Sequence, residues 1–237
     1  MTMKSEKNIK KLEEFRNIIE STKHLESTNV DKFVKLLSIE NKKNKTSSIL
    51  IPLNKVKDWN KDKNGNIFHK SRQFFSIEGV RTKNASNREV LSWDQPILNQ
   101  KHGGILAIIA KVTKSEGVKF LLRLRIEPGD NGKLKFCPTF QATTSNVNKA
   151  HGGKLPLFYD EVVKKKNTKV VYSTFHGEEG GRFWKKRNLN ILLQVKENYK
   201  IDKKCKDGVW LSLSQIKKLA LKDQIVNPFV KTILFMI

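Results

Sequence analysis

The chain has 237 residues, 38% of them apolar, and carries 47 lysines and arginines against 23 acidic residues, a net charge of +24. That length can bury one solid core without staples. Its two cysteines, Cys137 and Cys205, lie far apart with no metal-ligand spacing, which excludes a disulfide framework or a zinc site and fits reduced thiols.

No apolar run approaches the roughly 20 residues that cross a bilayer, so no membrane partner is expected. The charged stretch Met1–Lys11 leads into no apolar leader core, which predicts a cytoplasmic protein. The positive charge is almost all lysine and is spread along the chain, without a nucleic-acid motif. No nucleic-acid partner is expected. A positive field does raise the encounter rate of anionic small molecules.

Helix is predicted first, from Ile9, Leu12, Phe15, Ile18 and Ile19 at helical spacing. A second helix is expected near Val30–Ile39, with Asn29 or Asp31 as its cap. Glu40–Ser48 reads as a linker. The boundary is set there: residues 1–48 form a helical segment, and 49–237 a second unit. Ile49–Leu53 is a short apolar run, and Asn64-Gly65-Asn66 marks a turn. Phe74–Val80 reads as a strand. Gly104–Val112 and Val118–Ile126 form a hairpin about Ser115-Glu116-Gly117, the second strand alternating Phe120, Leu122, Leu124 and Ile126 against Leu121, Arg123 and Arg125. Strands follow at Lys135–Ala142, Lys169–Phe175 and Leu189–Val195. Ser212 or Ser214 caps a last helix, which Asn227-Pro228 ends before a short apolar element at Phe229–Met236. The sum is an α+β protein, a mixed or antiparallel sheet with helices at both ends.

Polar and aromatic residues cluster between Trp93 and Tyr159. Arg123, Arg125 and Glu127, two apart, share one strand face. They are either the solvated face of an edge strand or a floor of charge under a diphosphate, which arginine forks bind bidentately. Gln141, Thr143 and Ser145 also alternate, and the stretch is too polar for a core strand. Its amides and hydroxyls suit a ligand. His151 precedes two glycines that let backbone approach a ligand. The chain lacks a Rossmann fingerprint, a P-loop, a nucleophile elbow and zinc-type histidine spacing, so neither a cofactor nor a metal is expected.

These stretches, in order, resemble the NDP-hexose 2,3-dehydratase family. The resemblance runs from Ile51-Pro52-Leu53 and Trp59 through Phe74–Val80, Arg88-Glu89-Val90, Trp93, Gln95–Leu98, Gly103–Leu106 and Glu127-Pro128-Gly129. It is strongest over Pro138–Asn146 and His151-Gly152-Gly153. It implies a Nudix-like mixed sheet sandwich with flanking helices, and dehydration of a dTDP-linked 4-keto-6-deoxy-hexose in deoxysugar biosynthesis. Family members typically carry two tandem copies of this unit and this chain carries one, which implies a homodimer. Thr144 stands where many members have arginine.

In that reaction a base takes the C3 proton acidified by the C4 ketone, and an acid helps the C2 hydroxyl leave. His151 and Glu127 are the expected pair, with Tyr159 in reserve. Trp93 would stack on the base, Arg123 and Arg125 would face the diphosphate, and Gln95, Gln100, Thr139, Gln141, Thr143, Ser145 and Asn146 would orient the sugar. An epimerase, a non-catalytic nucleotide-sugar-binding module and a nucleic-acid binder are the alternatives.

Overall fold

The computed structural model describes residues 3–130, 132–149, 152, 154–200 and 205–237. Helix α1 spans Met3–Thr22 and α2 Asp31–Lys43. Their apolar stripes supply Phe15, Ile19, Phe33 and Leu37 to the core. Each such burial contributes about 2 kcal/mol. The expected caps of α2 are displaced: Val30 is the N-cap, while Asn29 Oδ1 accepts from the Asp31 amide at 2.8 Å. The helix also runs into the expected linker as far as Lys43, where the Glu40–Lys43 pair at 2.8 Å supports its last turn. The apolar run after it faces solvent, with Ile49 83% exposed and Leu50 fully so.

Four strands then form a small antiparallel sheet in sequence order: β1 (Trp59–Lys61), β2 (Ile67–His69), β3 (Ser76–Thr82) and β4 (Trp93–Asn99). Only β3 is anticipated by the sequence. Pro96 lies in β4 at the end of the sheet path, where a missing N–H is tolerated. Beyond Pro96, the Leu98 amide donates to Arg182 O and its carbonyl accepts from the Trp184 amide, both at 2.9 Å, which ties this sheet to the larger one.

The larger sheet has seven strands. The expected hairpin is β5 (Gly104–Thr113) and β6 (Gly117–Arg125). The stretch read as one strand at Lys135–Ala142 is two: β7 (Lys135–Cys137) pairs with β6, and β8 (Phe140–Thr143) with β5. The chain crosses between them at Pro138-Thr139. There the Thr139 hydroxyl donates to Leu121 O and accepts from the Ile109 amide at 3.0 Å. Ile109 and Leu121 are also the last paired residues of β5 and β6. One side chain thus closes the point where the two strands splay and admit β7 and β8.

Helices α3 (Thr144–Val147) and α4 (Tyr159–Val162) precede β9 (Thr168–Gly177) and β10 (Arg187–Val195). Strand β10 lies parallel to β5 and antiparallel to β9. Strand β11 (Gly208–Leu211) borders β6. Helix α5 (Leu213–Ala220) starts at the expected Ser212, with a full capping box to Gln215, and α6 (Pro228–Leu234) starts at Asn227 with Pro228 in its first turn.

Both faces of β5 and β6 are buried, in different company. Leu106, Ile108, Phe120 and Leu122 pack with the helices α1, α2, α5 and α6. Ala107, Ile109 and Leu121 pack with Phe140, Phe158, Val162, Ile191 and Leu193 on the opposite face. Arg123 and Arg125 continue that second face, so alternation along β6 delivers them away from the helices.

Candidate functional site

Helix α3 is the wall between two clefts. Strand β8 buries Phe140 and Ala142 and turns Gln141 outward. It stops at Thr143, whose hydroxyl accepts from the Asn146 amide at 3.4 Å and lies 2.7 Å from the Ser145 hydroxyl. Gln141, Thr143 and Ser145 therefore do not form one strand face. Ser145 belongs to the helix, and Thr143 acts as its cap. Thr144 fixes the helix to the sheet by donating to Gly103 O at 2.7 Å. Gly103 must be glycine here, since a Cβ would meet Arg187 O at 1.7 Å.

The smaller cleft, about 290 Å³, opens on the side of Asn146 and Lys149. Arg123, Arg125, Gln141 and Lys154 complete its polar lining. Lys149 holds a left-handed backbone, φ 56°, an uncommon conformation for a side-chain-bearing residue. Arg123 is committed to Asp207, with Nε at 3.0 Å and Nη2 at 2.8 Å from Oδ2. Burial raises the Asp207 carboxyl, but hydrogen bonds from Arg123 and Cys205 outweigh it and hold the group below its ordinary value. Among the described residues Arg125 donates only to Gln141 O, at 3.3 Å. Burial, then the like charge of Arg123, lowers its pKa, yet a guanidinium remains charged. No acidic residue stands among the described lining of this cleft, so its field is positive.

Glu127 lies behind Gln141. Its Oε1 accepts from Gln141 Nε2 at 2.5 Å and from Asn227 Nδ2 at 3.4 Å. Among the described residues Oε2 has no hydrogen bond. Below it, burial and then the Glu127 charge push the Cys137 thiol up to about 12.

The larger cleft, about 540 Å³, lies on the side of α3 that carries Thr144, Ser145 and Asn148. The small sheet and the loop after it supply Phe68, Phe74, Phe75, Glu78, Asn99, Gln100, Lys101 and His102. Glu78 Oε1 accepts from the Ser76 hydroxyl and from Asn99 Nδ2 at 3.0 Å.

The residues singled out in the sequence thus divide. Arg123, Arg125, Gln141 and Asn146 meet in the smaller cleft, and Gln100 and Ser145 in the larger. Thr139 is wholly buried, with its hydroxyl spent on two backbone groups, so it is a structural residue and not a sugar ligand. Trp93 and Gln95 lie at the seam between the sheets: Trp93 Nε1 donates to Gln95 Oε1 at 2.7 Å, and Gln95 Nε2 to Gly181 O at 2.6 Å. Neither is in the described lining of the two clefts, and nor is Tyr159, whose ring faces Lys164 Nζ at 5.5 Å. His151 lies outside the described residues. Sequence reasoning missed Glu78, Asn99, Lys149 and Lys154 as lining residues. Ser76 and Glu78, two apart on one strand, were the available signal. Among the described residues no group of three or more His, Cys, Asp or Glu could hold a metal ion.

Comparison with known proteins bears on the family of the chain. Residues 30–237 match the family NDP-hexose 2,3-dehydratase. The dTDP-4-dehydro-6-deoxy-alpha-D-glucopyranose 2,3-dehydratase of Saccharopolyspora spinosa is 34% identical over 186 residues, which are 78% of this chain and 37% of that protein. The like-named proteins of Amycolatopsis orientalis and Streptomyces violaceoruber are 31% and 30% identical, over 74% and 78% of this chain and 37% and 40% of theirs. The chain therefore spans well under half the length of these relatives. The crystal structure of an ADP compounds hydrolase aligns at a TM-score of 0.41 and 10% identity, covering 68% of this chain and 83% of that one, a likeness too slight to add to the topology above. On the family match the assignment is plain: the chain belongs to the NDP-hexose 2,3-dehydratase family.

Proposed function

We propose that the chain dehydrates a dTDP-linked 4-keto-6-deoxy-hexose across C2 and C3, giving a 3,4-diketo-2,6-dideoxy sugar for deoxysugar biosynthesis. The match of residues 30–237 to the family, with relatives named for this reaction, carries the reading. The positive cleft supports it. Arg125, Lys149 and Lys154 suit a diphosphate, with Arg123 held beside them by Asp207. The unit that acts is the module of residues 49–237, against which the helical segment 1–48 packs.

The C4 ketone acidifies the C3 proton. A base removes it, an enediolate forms, and the C2 hydroxyl leaves as water on receiving a proton. Donors at the C4 oxygen stabilise the developing charge. Glu127 and His151 share the acid and base work, with Tyr159 in reserve. Two amides fix Glu127 Oε1, and Oε2 is left without a hydrogen bond among the described residues. Gln141 and Asn146 orient the sugar from one side of α3, Gln100 and Ser145 from the other. The enzyme acts in the cytoplasm as a homodimer. The exposed run Ile49–Leu53 supports the second point, as a surface for a second copy to cover.

Incubation of the purified chain with dTDP-4-keto-6-deoxy-glucose tests the reaction, with and without chelator, the sugar followed by mass spectrometry. Loss of one water, unaffected by chelator, is expected. A product of unchanged mass and altered configuration would replace the reading with epimerisation. The short span relative to the relatives favours one further alternative, a module that binds the nucleotide sugar and turns nothing over. Tight binding without loss of water would establish it.

A further inference from the structure

The proposed reaction handles several protons, and the larger cleft contains a carboxylate to which none has been given. Glu78 lies on β3, half-buried, on the same strand face as Ser76. Its Oε1 is fixed by the Ser76 hydroxyl and by the Asn99 amide from the neighbouring strand β4. Both donors are neutral, and among the described residues no cation forms an ion pair with Glu78. A carboxylate so placed is costly to desolvate and lacks the partner that would make it a structural ion pair. Its Oε2 has no hydrogen bond among the described residues, in a cleft of about 540 Å³ that also holds Gln100, His102 and Ser145. One oxygen anchored and one uncommitted is the arrangement a general base requires, since the anchor fixes aim while the second oxygen remains basic.

We infer that Glu78 is a catalytic residue, the base that removes the C3 proton of a keto-sugar bound in the larger cleft. The inference rests on the proposed dehydration and takes the base's part in it from Glu127 and His151, leaving that pair the acid step. Glu78 Oε2 takes the proton, and the C3–H electron pair passes into the enediolate shared with the C4 carbonyl. As the enediolate collapses, the C2–O bond breaks and the oxygen leaves as water on taking a proton from the general acid. The resulting enol gains a proton at C2 and loses one from the C3 hydroxyl, so atoms and charge balance without an oxidant or reductant.

Three proteins, the wild type, Glu78→Gln and Glu78→Asp, are compared for turnover of dTDP-4-keto-6-deoxy-glucose, for affinity for dTDP and for thermal melting. Glu78→Gln is expected to lose about 100-fold or more in kcat with KM changed by no more than about threefold, and to lose the acid limb of the kcat/KM profile. Glu78→Asp keeps the charge but withdraws the oxygen by one methylene, and is expected to lose kcat by about tenfold or more at unchanged dTDP affinity. Should Glu78→Gln fail to fold, the Asp variant carries the test alone. Full turnover in either folded variant overturns the role of Glu78 and leaves the dehydratase reading intact. A wild type that binds dTDP and releases no water overturns that reading, and this inference with it.

Discussion

Behind the smaller cleft Glu127 is anchored through Oε1 by two amides, Gln141 and Asn227, whereas in the larger cleft Glu78 is anchored through Oε1 by a hydroxyl and an amide, Ser76 and Asn99. The local geometry is alike and the neighbours are not. Glu127 lies behind Gln141, near enough to Arg125 for the two charges to interact, at the back of a cleft lined by Arg123, Arg125, Lys149 and Lys154. Glu78 shares its cleft with Phe68, Phe74 and Phe75 and with Arg72 and Lys101, neither of which forms an ion pair with it among the described residues. The comparison separates two tasks, holding anionic charge and moving a proton from carbon.

The sharpest way to break the comparison is at its hinge. Thr139→Val keeps the shape and removes the hydroxyl that serves both Ile109 N and Leu121 O. It should cost about 3 kcal/mol, because two buried backbone groups lose their partner. Urea unfolding measures this, and the smaller cleft, whose wall is β8, should loosen before the larger. An unchanged midpoint would return Thr139 to the list of possible ligand contacts.

The two arginines should respond differently. Arg123→Met strands Asp207 and is expected to lose about 1–2 kcal/mol of stability. Arg125→Met should leave stability nearly unchanged while raising KM for the nucleotide sugar about tenfold, through loss of a phosphate contact. Paired melting curves and kinetics would decide this, and equal effects at the two sites would sink the division of labour.

The smallest expected effect concerns pH. The Cys137 thiol ionises at about 12 in the folded chain against an ordinary 9.0. Between these values the unfolded chain binds fewer protons, so stability is full below pH 9 and falls above it, by about 1 kcal/mol per pH unit. Stability curves of wild type and Cys137→Ala, compared as the difference between pH 8 and pH 10.5, isolate the effect. In Glu127→Gln the fall should be shallower, since that carboxylate is the second cause of the shift. No such change is expected in Glu78→Gln.

Much of this arrangement was legible in the residues. The β5–β6 hairpin declared itself because periodicity and turn chemistry agree, and α5 because Ser212 and Gln215 form both halves of a capping box. Arg125 and Gln141 were legible by alternation, since each is the outward member of a strand with a buried partner face. Strands β1, β2 and β11, of three or four residues, are too short for a period to appear. Strand β4 contains Asp94, Gln95 and Pro96 and reads as loop until its position at the end of the sheet path is known. Thr139 misled because a hydroxyl in a polar stretch looks like a ligand contact, and only the crossing from β6 to β5 reveals its backbone partners. Glu78 shares a strand face with Ser76, but that local signal does not give its cleft, which forms where a strand near residue 78 meets a helix near residue 145.

The parallel pairing of β5 with β10 also bears on how the molecule is made. Leu189 lies beside Ile105 and Val195 beside Lys111, so the centre of the sheet joins segments more than eighty positions apart. The small sheet, by contrast, is a meander of neighbouring strands. Contacts of low sequence separation form early, and the closure of a long loop comes late. During synthesis the small sheet can therefore fold on emergence from the ribosome. The backbone of Gly103, which holds Thr144 and is packed by Arg187, is fixed only after residue 187 has been made. Neither cleft can take its final form before that moment, so the nascent chain has no formed site until most of it has been translated.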